Sequence, residues 1–379
     1  MTVARVEAFA GIRYDTAQVA LPDVIAPPYD VVDEAERELL AARSPYNAIH
    51  IELPIPDPDL ELDRYANAAH LLEAWIDAGV LRREAGAAVY VYRMSFAGRS
   101  TTGVVAALGI GEDVLPHEET MPKPKGDRLD LLRATRVNTS PIWGLSAGKG
   151  LGQLCSAAVA GLEGGRAEAE GVVHEVWAVT DEAAVSEICG VAGEGPILLA
   201  DGHHRYETAT AHRAESDAPG AASVMAFIAE LAEDELEIGP INRLVKGLPE
   251  GFDVAGALAA YFQVDSGDEG IEMVTHEGRF VLTATADTDA AAGVELDSAR
   301  LAVALASLPE HELTYQHGRQ SLLDAVDSGS AQAAFFLRPP TVAQIAEIAH
   351  GGRRMPPKTS FFQPKPRTGM VFRSLLSAG

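Results

Sequence analysis

Residues 197–208 read Ile-Leu-Leu-Ala-Asp-Gly-His-His-Arg-Tyr-Glu-Thr, and they carry the clearest indication of the fold at the centre of the chain. The apolar run at 197–200 is typical of a buried strand, and Asp201 with Gly202 indicates a tight turn. A helix is then predicted to begin near His204. The order of strand, turn and helix start predicts an α/β unit.

The first turn of the predicted helix carries cationic and titratable side chains. A helix N-terminus has unpaired N–H groups and about half a positive charge, so acidic side chains or a bound anion stabilise it. Here His203, His204 and Arg205 follow the turn. Three interpretations are open: a solvated helix start after a turn glycine, a metal site with Asp201, His203 and His204 as ligands, and an anion site. A phosphate site is favoured over the metal, because adjacent side chains on a helix diverge.

Composition limits the classes of partner. The 379 residues include 30 basic and 55 acidic side chains, which gives a formal net charge of −25. Such a surface repels nucleic acid and anionic membranes, so we expect neither as a partner and a small molecule as substrate. No signal peptide or membrane-length apolar run is visible, and Cys155 and Cys189 lack metal-ligand spacing. We therefore expect a cytoplasmic protein with reduced thiols, whose oligomeric state the sequence leaves open.

Alternating strand and helix patterns predict the fold class, which is α/β with mixed α+β parts. The length predicts two or three domains, and we expect three regions. An α+β region covers 1–165, a phosphate-binding unit with a largely parallel sheet covers 171–248, and a further α/β region covers 249–379.

Three smaller segments carry specific predictions. Residues 48–53 alternate between apolar and polar side chains, which predicts a strand. Residues 89–96 and 101–110 predict a hairpin. Residues 117–128 are polar, charged and interrupted by prolines, which predicts a loop that leads into a helix near Asp127.

Five short motifs together resemble the bacterial and archaeal domain of unknown function 1015 family. They occur in that family's order and span nearly the whole chain, although the resemblance brings no agreed activity with it. The motifs are Ala26-Pro-Pro-Tyr-Asp-Val, the loop at 117–128, Asn138-Thr-Ser-Pro, Leu199-Ala-Asp-Gly-His-His-Arg-Tyr-Glu-Thr and Met355-Pro-Pro-Lys-Thr-Ser-Phe-Phe.

The segment 172–231 is similar to the ParB/sulfiredoxin superfamily, which implies a ParB/sulfiredoxin-like fold for the central unit. In that superfamily, a Gly-x-(His/Arg)-Arg turn at a helix start binds nucleotide phosphates, and its members include free-serine kinases. The resemblance implies a phosphate cradle formed by Gly202, His203, His204 and Arg205, and we count Asp201 with them as a predicted cofactor-binding residue.

Phosphoryl transfer requires charge neutralisation, alignment and a carboxylate that accepts a proton. We therefore interpret the chain as a small-molecule phosphotransferase that uses Mg²⁺ and a nucleotide (ATP or ADP) or polyphosphate donor. The acceptor is a small hydroxyl compound, with free serine suggested by superfamily analogy alone. Arg205 is predicted to bind the donor phosphates, Glu118 to deprotonate the acceptor and His204 to stabilise the moving phosphoryl group.

Other charged residues complete the predicted site. Lys125, Arg128 and Arg243 are predicted to contact phosphate, and Glu119 and Asp127 to bind the metal. A solvated charged loop is the alternative interpretation for the part of this set that lies within 117–128.

Three further charged residues have less specific interpretations. Asp30 is interpreted as an acid that caps a turn. Lys358 and Lys365 are expected either to reach the site from the C-terminal segment or to clamp that segment in place.

Two other functions remain open. One is a nucleotide-binding regulator without turnover, for which the phosphate turn suffices. The other is a metal-dependent hydrolase or phosphatase that uses Asp201, His203, His204 and Glu118.

Overall fold

The computed structural model describes residues 3–116, 118, 122–233, 235–265 and 269–377, without the side chains of 122–125. The contacts divide the chain into two compact units. The first unit comprises residues 1–116, 120–236 and 364–379, and the second comprises residues 117–119 and 237–363. The predicted N-terminal region and the predicted phosphate-binding unit both fall mainly within the first unit.

The first unit is built from a mixed set of helices and strands. Its helices are α1 (Leu21–Val24), α2 (Glu34–Arg43), α3 (Ile49–Glu52), α4 (Arg64–Asp77), α5 (Pro122–Thr135), α6 (Leu151–Ala158), α7 (Glu182–Ala192) and α8 (His203–Glu215). Its strands are β1 (Val6–Glu7), β2 (Gly11–Tyr14), β3 (Leu81–Arg83), β4 (Val89–Phe96), β5 (Arg99–Gly109), β6 (Val114–Pro116), β7 (Val137–Asn138), β8 (Ile142–Ser146), β9 (Gly165–Ala169), β10 (Val172–Val179), β11 (Ile197–Asp201), β12 (Ser223–Glu230) and β21 (Phe372–Ser374). Short 3₁₀ helices cover Tyr29–Val31 and Pro219–Ala222.

Nine strands form the main sheet of the first unit, in the order β6-β11-β8-β12-β5-β4-β10-β9, with β1 also paired to β5. Of the strand pairs described in this sheet, only β11 with β6 and β12 with β8 are parallel. The prediction of a largely parallel sheet is therefore wrong. The fold class itself, α/β with mixed α+β parts, is confirmed.

Two tight hairpins account for two of the antiparallel pairs in this sheet. The predicted hairpin is confirmed as β4 and β5, and its loop residues Ala97 and Gly98 have φ of 46° and 77°. Between β9 and β10, Glu170 and Gly171 have φ of 52° and 74°. Two-residue loops in which both residues have positive φ match the twist of antiparallel strands. The alternation of apolar and polar residues along a strand does not reveal whether its neighbour runs antiparallel.

The core of the first unit lies around the centre of the sheet. Every residue of β12 is buried, and the apolar side chains of β4, β5, β8 and β11 join it in one cluster with α6, α7 and α8. At about 25 cal/mol per Å² of apolar surface, this burial is the main stabilising contribution. It fixes the end of β11, where the chain turns at Gly202.

The predicted strand at 48–53 is wrong, because this segment contains the short helix α3. Asn47 Oδ1 accepts a hydrogen bond from the N–H of Ile49 at 2.9 Å, and Asn47 Nδ2 donates to the Asp23 carbonyl at 2.8 Å. One helical turn is too short to reveal its period. The turn leaves Glu52 buried, with 1% of its surface exposed.

The second unit contains two antiparallel sheets. Its strands are β13 (Glu237–Pro240), β14 (Asn242–Lys246), β15 (Phe262–Asp265), β16 (Ile271–Thr275), β17 (Gly278–Ala284), β18 (Glu312–Gln316), β19 (Ala333–Phe336) and β20 (Ser360–Gln363). Its helices are α9 (Val254–Leu258), α10 (Ala286–Ala292), α11 (Asp297–Leu305), α12 (Gln320–Asp327) and α13 (Val342–His350). Six strands follow the order β15-β17-β16-β19-β14-β18, and β13 pairs with β20.

None of the helices within the described ranges combines the length and the apolar character needed to cross a membrane.

Candidate functional site

The site begins at the turn between β11 and α8. Asp201 ends the strand, Gly202 has φ of +88°, and α8 begins at His203. A Cβ on Gly202 would lie 3.0 Å from the Ile142 side chain and 3.2 Å from Arg205 Nε, so both the conformation and the space require glycine. The predicted order of strand, turn and helix is confirmed at these residues.

Arg205 lies in the first helical turn of α8, and its side chain folds back over the turn at Gly202. Its Nη2 donates to Asp201 Oδ2 at 2.8 Å, and its Nη1 donates to Ser140 Oγ at 3.2 Å and to the Pro141 carbonyl. Only 12% of the side chain is exposed. Its buried Nε–H, beside Gly202, has no acceptor among the described residues. The guanidinium is thus held rigidly, with one donor still available at the turn.

Lys365 reaches the turn from the C-terminal part of the first unit. Its Nζ lies 2.7 Å from Asp201 Oδ1 and 2.5 Å from Asp30 Oδ2, and 9% of the side chain is exposed. Asp201 therefore sits between two cations. Burial alone would raise the pKa of Asp201, but Lys365 and then Arg205 lower it far below its usual range. The Asp201 carboxylate is ionised and anchors both cations.

The two histidines differ in exposure. His203 is buried, with 9% of its surface exposed, whereas His204 is half-buried. His204 is therefore the more accessible ring at the start of α8, where the sequence predicts a donor to phosphate.

A second group of side chains in the first unit surrounds Arg128, which is buried in α5. Its Nη1 donates to the backbone carbonyl of Glu52 at 2.7 Å, and its Nη2 lies 2.6 Å from Asp127 Oδ2. The guanidinium carbon also stands 4.4 Å from the ring centroid of Tyr29, a cation–π distance. Ser140 connects this group to the turn, because its Oγ donates to Glu52 Oε1 at 3.2 Å and also accepts from Arg205.

The predicted metal ligands have other surroundings. Asp127 Oδ1 lies 2.8 Å from Arg64 Nη2, and Oδ2 binds Arg128, so a metal ion at Asp127 would compete with two guanidinium groups. Glu119 and the side chain of Lys125 lie outside the described residues. Within the described part of the chain, no group of three His, Cys, Asp or Glu side chains is placed to bind a metal ion.

Glu118 and Arg243 belong to the second unit. The Glu118 carboxylate accepts the N–H groups of Lys358 at 2.7 Å and Thr359 at 3.1 Å. Burial raises the pKa of Glu118, and these backbone donors oppose the shift only in part. Arg243 is buried, stands 4.6 Å from the ring centroid of Tyr315, and has a pKa that burial lowers to about 10. Their roles as base and phosphate contact stay predictions.

Sequence reasoning missed two parts of the arrangement in the first unit. The sequence does not indicate a role for Glu52, because the surrounding residues 48–53 alternate as in a strand. Asp30 was interpreted as a turn cap, whereas its carboxylate binds Lys365. The motif Asn138-Thr-Ser-Pro was the available signal for Ser140, since a polar motif before a strand favours side-chain contacts over a plain turn.

Comparisons with known proteins yield one family and a set of solved structures. The family model described as "Protein of unknown function (DUF1015)" matches residues 6–322. No curated protein is significantly similar to the chain. A conserved hypothetical protein from Pyrococcus furiosus is similar to the chain, with 14% identity, a TM-score of 0.41, and coverage of 69% of this chain and 93% of the other.

Two further solved structures show a likeness of the same degree. A free serine kinase in complex with AMP has 13% identity and a TM-score of 0.42, over 68% of this chain and 86% of the other. A C-terminally truncated SbnI from Staphylococcus aureus has 12% identity and a TM-score of 0.42, over 70% and 85%.

Proposed function

The chain belongs to the DUF1015 family, and we propose that it is a small-molecule phosphotransferase whose first unit binds the donor phosphates at the Gly202 turn. The donor is a nucleotide, ATP or ADP, or a polyphosphate, and the acceptor is a small hydroxyl compound. Similarity of the central segment to the ParB/sulfiredoxin superfamily, and free serine as the acceptor, are part of this proposal.

The observation that carries the proposal is the buried Nε–H of Arg205. It lies beside Gly202 and has no acceptor within the described residues, while the rest of the guanidinium is fixed by Asp201, Ser140 and Pro141. A buried charged donor without a partner is costly, and a phosphate oxygen would satisfy it. The first turn of α8 has no acidic side chain, so its N–H groups and dipole favour the same anion.

Each residue has one role in this proposal. Arg205 and the N–H groups after Gly202 bind the donor phosphates, Asp201 and Lys365 hold the turn, and His204 donates to the phosphoryl group that moves. Neutralising and aligning phosphate is most of what phosphoryl transfer requires of a protein.

The remaining roles rest on the sequence interpretation alone, because Glu118 and Arg243 belong to the second unit. Glu118 is the proposed base, and burial raises its pKa, which is the direction that makes a carboxylate a stronger base. Arg243 is a proposed phosphate contact. Mg²⁺ would supply further charge neutralisation, but Asp127 is occupied by Arg64 and Arg128, so no step here depends on the metal.

The metal-dependent hydrolase is less well supported than the phosphotransferase. It would need Asp201 as a ligand, yet both oxygens of that carboxylate already bind cations, at 2.7 Å and 2.8 Å. Displacing Lys365 and Arg205 from a buried carboxylate costs more than placing a ligand at an open one.

Phosphorus NMR tests the proposal. ATP, ADP or pyrophosphate is incubated with the protein, Mg²⁺ and a panel of hydroxy amino acids that includes L-serine. We expect broadened donor signals and a new phosphomonoester signal, both lost in Arg205→Ala. In Arg205→Lys, which keeps the charge, donor affinity should fall about tenfold to a hundredfold. The exposed Arg99→Ala is the control and should behave like the wild type.

Two results would count against transfer. Unchanged donor signals would show that the turn does not bind phosphate under these conditions. Binding that depends on Arg205 without a product after long incubation would favour a nucleotide-binding regulator.

A further inference from the structure

A small cavity of about 40 Å³ lies in the first unit behind the Gly202 turn, between α5, α8 and the segment 137–140. Glu52, Arg128, Ser140, Arg205 and Thr208 contribute its polar lining. Its apolar lining is formed by Leu131, Leu132, Val137 and Val224. At roughly 10–15 Å³ for each water molecule, the cavity has room for about three oxygen-sized groups.

Besides Arg205 Nε, two polar atoms of the lining residues have no hydrogen-bond partner among the described residues. They are Glu52 Oε2 and Thr208 Oγ1, on side chains that are 1% and 5% exposed. The other Glu52 oxygen has only long hydrogen bonds, at 3.2 Å from Ser140 Oγ and 3.4 Å from the N–H of Tyr29. A buried carboxylate with so few donors is unfavourable unless a ligand supplies them.

The neighbouring cations do not supply these donors. Arg128 donates to Asp127 and to the backbone carbonyl of Glu52. Arg205 donates to Asp201, Ser140 and Pro141, and its remaining Nε–H lies beside Gly202. The missing partner of Glu52 is therefore a group that donates hydrogen bonds, and a neutral donor adds no third cation beside Arg128 and Arg205. A phosphate is excluded from this position, because it offers acceptors to a carboxylate.

We propose that this cavity binds a vicinal diol, one hydroxyl of which donates to Glu52 while the other pairs with Thr208. Two adjacent hydroxyl groups match the two unpartnered oxygen atoms, one on Glu52 and one on Thr208, and they fit the volume. Carboxylates bind ribose hydroxyls in this way in dinucleotide-binding folds. The inference rests on the proposed function in one respect: because Arg205 lines the cavity and also borders the turn, a ribose diol here would belong to the molecule whose phosphates the turn binds.

A diol at this position has two chemical sources, the ribose of a nucleotide donor and a free polyol. The ribose would make the protein prefer nucleotides to inorganic polyphosphate. A polyol would bind without any phosphate.

Titration calorimetry with four probes tests the proposal: ADP, 2′,3′-dideoxy-ADP, pyrophosphate and glycerol. If the diol is the ribose, wild-type protein should bind ADP about tenfold to a hundredfold more tightly than dideoxy-ADP. Glu52→Gln should remove that difference and leave pyrophosphate affinity unchanged. If the source is a polyol, glycerol should bind, and Glu52→Gln should abolish its binding.

Two variants separate the ligand role from a structural one. Thr208→Val keeps the side-chain shape. It should weaken the binding of whichever diol probe the wild-type protein binds, ADP or glycerol, without changing the affinity for pyrophosphate. The exposed Glu168→Gln on β9 is the control for a lost carboxylate and should match the wild type for every probe. Melting temperatures check that each variant is folded.

Three outcomes overturn the diol site. The first is equal affinity of wild-type protein for ADP and dideoxy-ADP together with no glycerol binding. The second is an equal loss of ADP and pyrophosphate binding in Glu52→Gln, which would mean that Glu52 acts on Arg205 through Ser140. The third is an unchanged diol preference in Glu52→Gln. If no phosphate probe binds, the proposed function fails, and the glycerol titration alone then tests whether the cavity binds a diol.

Discussion

Asp201 Oδ1 and Lys365 Nζ lie 2.7 Å apart although 164 residues separate them in the chain. The pair fastens the C-terminal part of the first unit to the end of β11. Burial alone would lower the pKa of Lys365, but Asp201 and Asp30 raise it above its usual range. The ammonium is therefore charged at neutral pH and holds two carboxylates together.

We expect Lys365→Met to lower the free energy of unfolding by about 3 kcal/mol, since it leaves two partly buried carboxylates without their shared cation. Urea denaturation measures this change. Lys149→Met is the matched control, because Lys149 is 78% exposed and lies 3.6 Å from Glu230. A surface pair of this kind contributes about 0–1 kcal/mol. Similar losses in the two variants would contradict a structural role for the pair.

Gly202→Ala should destabilise the protein and prevent phosphate binding. A non-glycine residue at φ of +88° costs about 1–2 kcal/mol, and here the new Cβ also crowds Ile142. Gly98→Ala is the control, with φ of +77° and no heavy atom within 4 Å of the added Cβ. Denaturation and phosphorus NMR should show a smaller loss of stability in Gly98→Ala and unchanged donor binding. Phosphate binding that survives Gly202→Ala would argue against the turn as the site.

The sequence predicted local features of the first unit better than its pairings. The β11–α8 turn and the β4–β5 hairpin were predicted correctly, because glycine at a tight turn leaves a clear local signal. The direction of the other strands depends on loops whose conformation the strand pattern does not encode. Residues 48–53 were misread because one helical turn and a short strand have similar patterns.

The sequence indicates that Lys365 reaches the site or clamps the C-terminal segment, but it does not identify the partners of this lysine. The pairing of Lys365 with Asp30 joins residues 335 positions apart, and no local pattern selects one lysine over another. The burial of Glu52 depends on where α3 packs, which only the tertiary structure shows.

His174 should make the stability of the first unit dependent on pH. It is fully buried, its Nδ1 lies 2.8 Å from Tyr92 Oη, and burial, aided by Arg367, lowers its pKa to about 3. An unfolded histidine has a pKa near 6.5, so between about pH 6.5 and pH 3 only the unfolded chain takes up the proton. The free energy of unfolding therefore falls as the pH falls through this range. Above about pH 6.5, the stabilising contribution of the neutral His174 side chain is fully present.

The expected size of this effect is about 2 kcal/mol between pH 6.5 and about pH 4.5. His174→Gln, whose amide can still bind Tyr92, should lose that part of the pH dependence. Urea denaturation at several pH values measures the difference between the two proteins, which cancels the contribution of the carboxylates they share. If the free energies of unfolding of the two proteins fall in parallel over this pH range, His174 also takes up its proton in the folded state.

Glu118→Gln should loosen the chain around residues 358–360 in the second unit. The two carboxylate oxygens accept the N–H groups of Lys358 at 2.7 Å, Thr359 at 3.1 Å and Ser360 at 3.4 Å, whereas a glutamine has one acceptor oxygen and turns an NH₂ group towards the other donors. An unsatisfied buried donor costs about 1–3 kcal/mol, so the amide hydrogens of this segment should exchange roughly tenfold to a hundredfold faster. Hydrogen exchange by mass spectrometry measures this, with the exposed Glu237→Gln as control. Unchanged exchange would mean that these contacts add nothing to local stability, and a loss of turnover in the same variant would then report the proposed base alone.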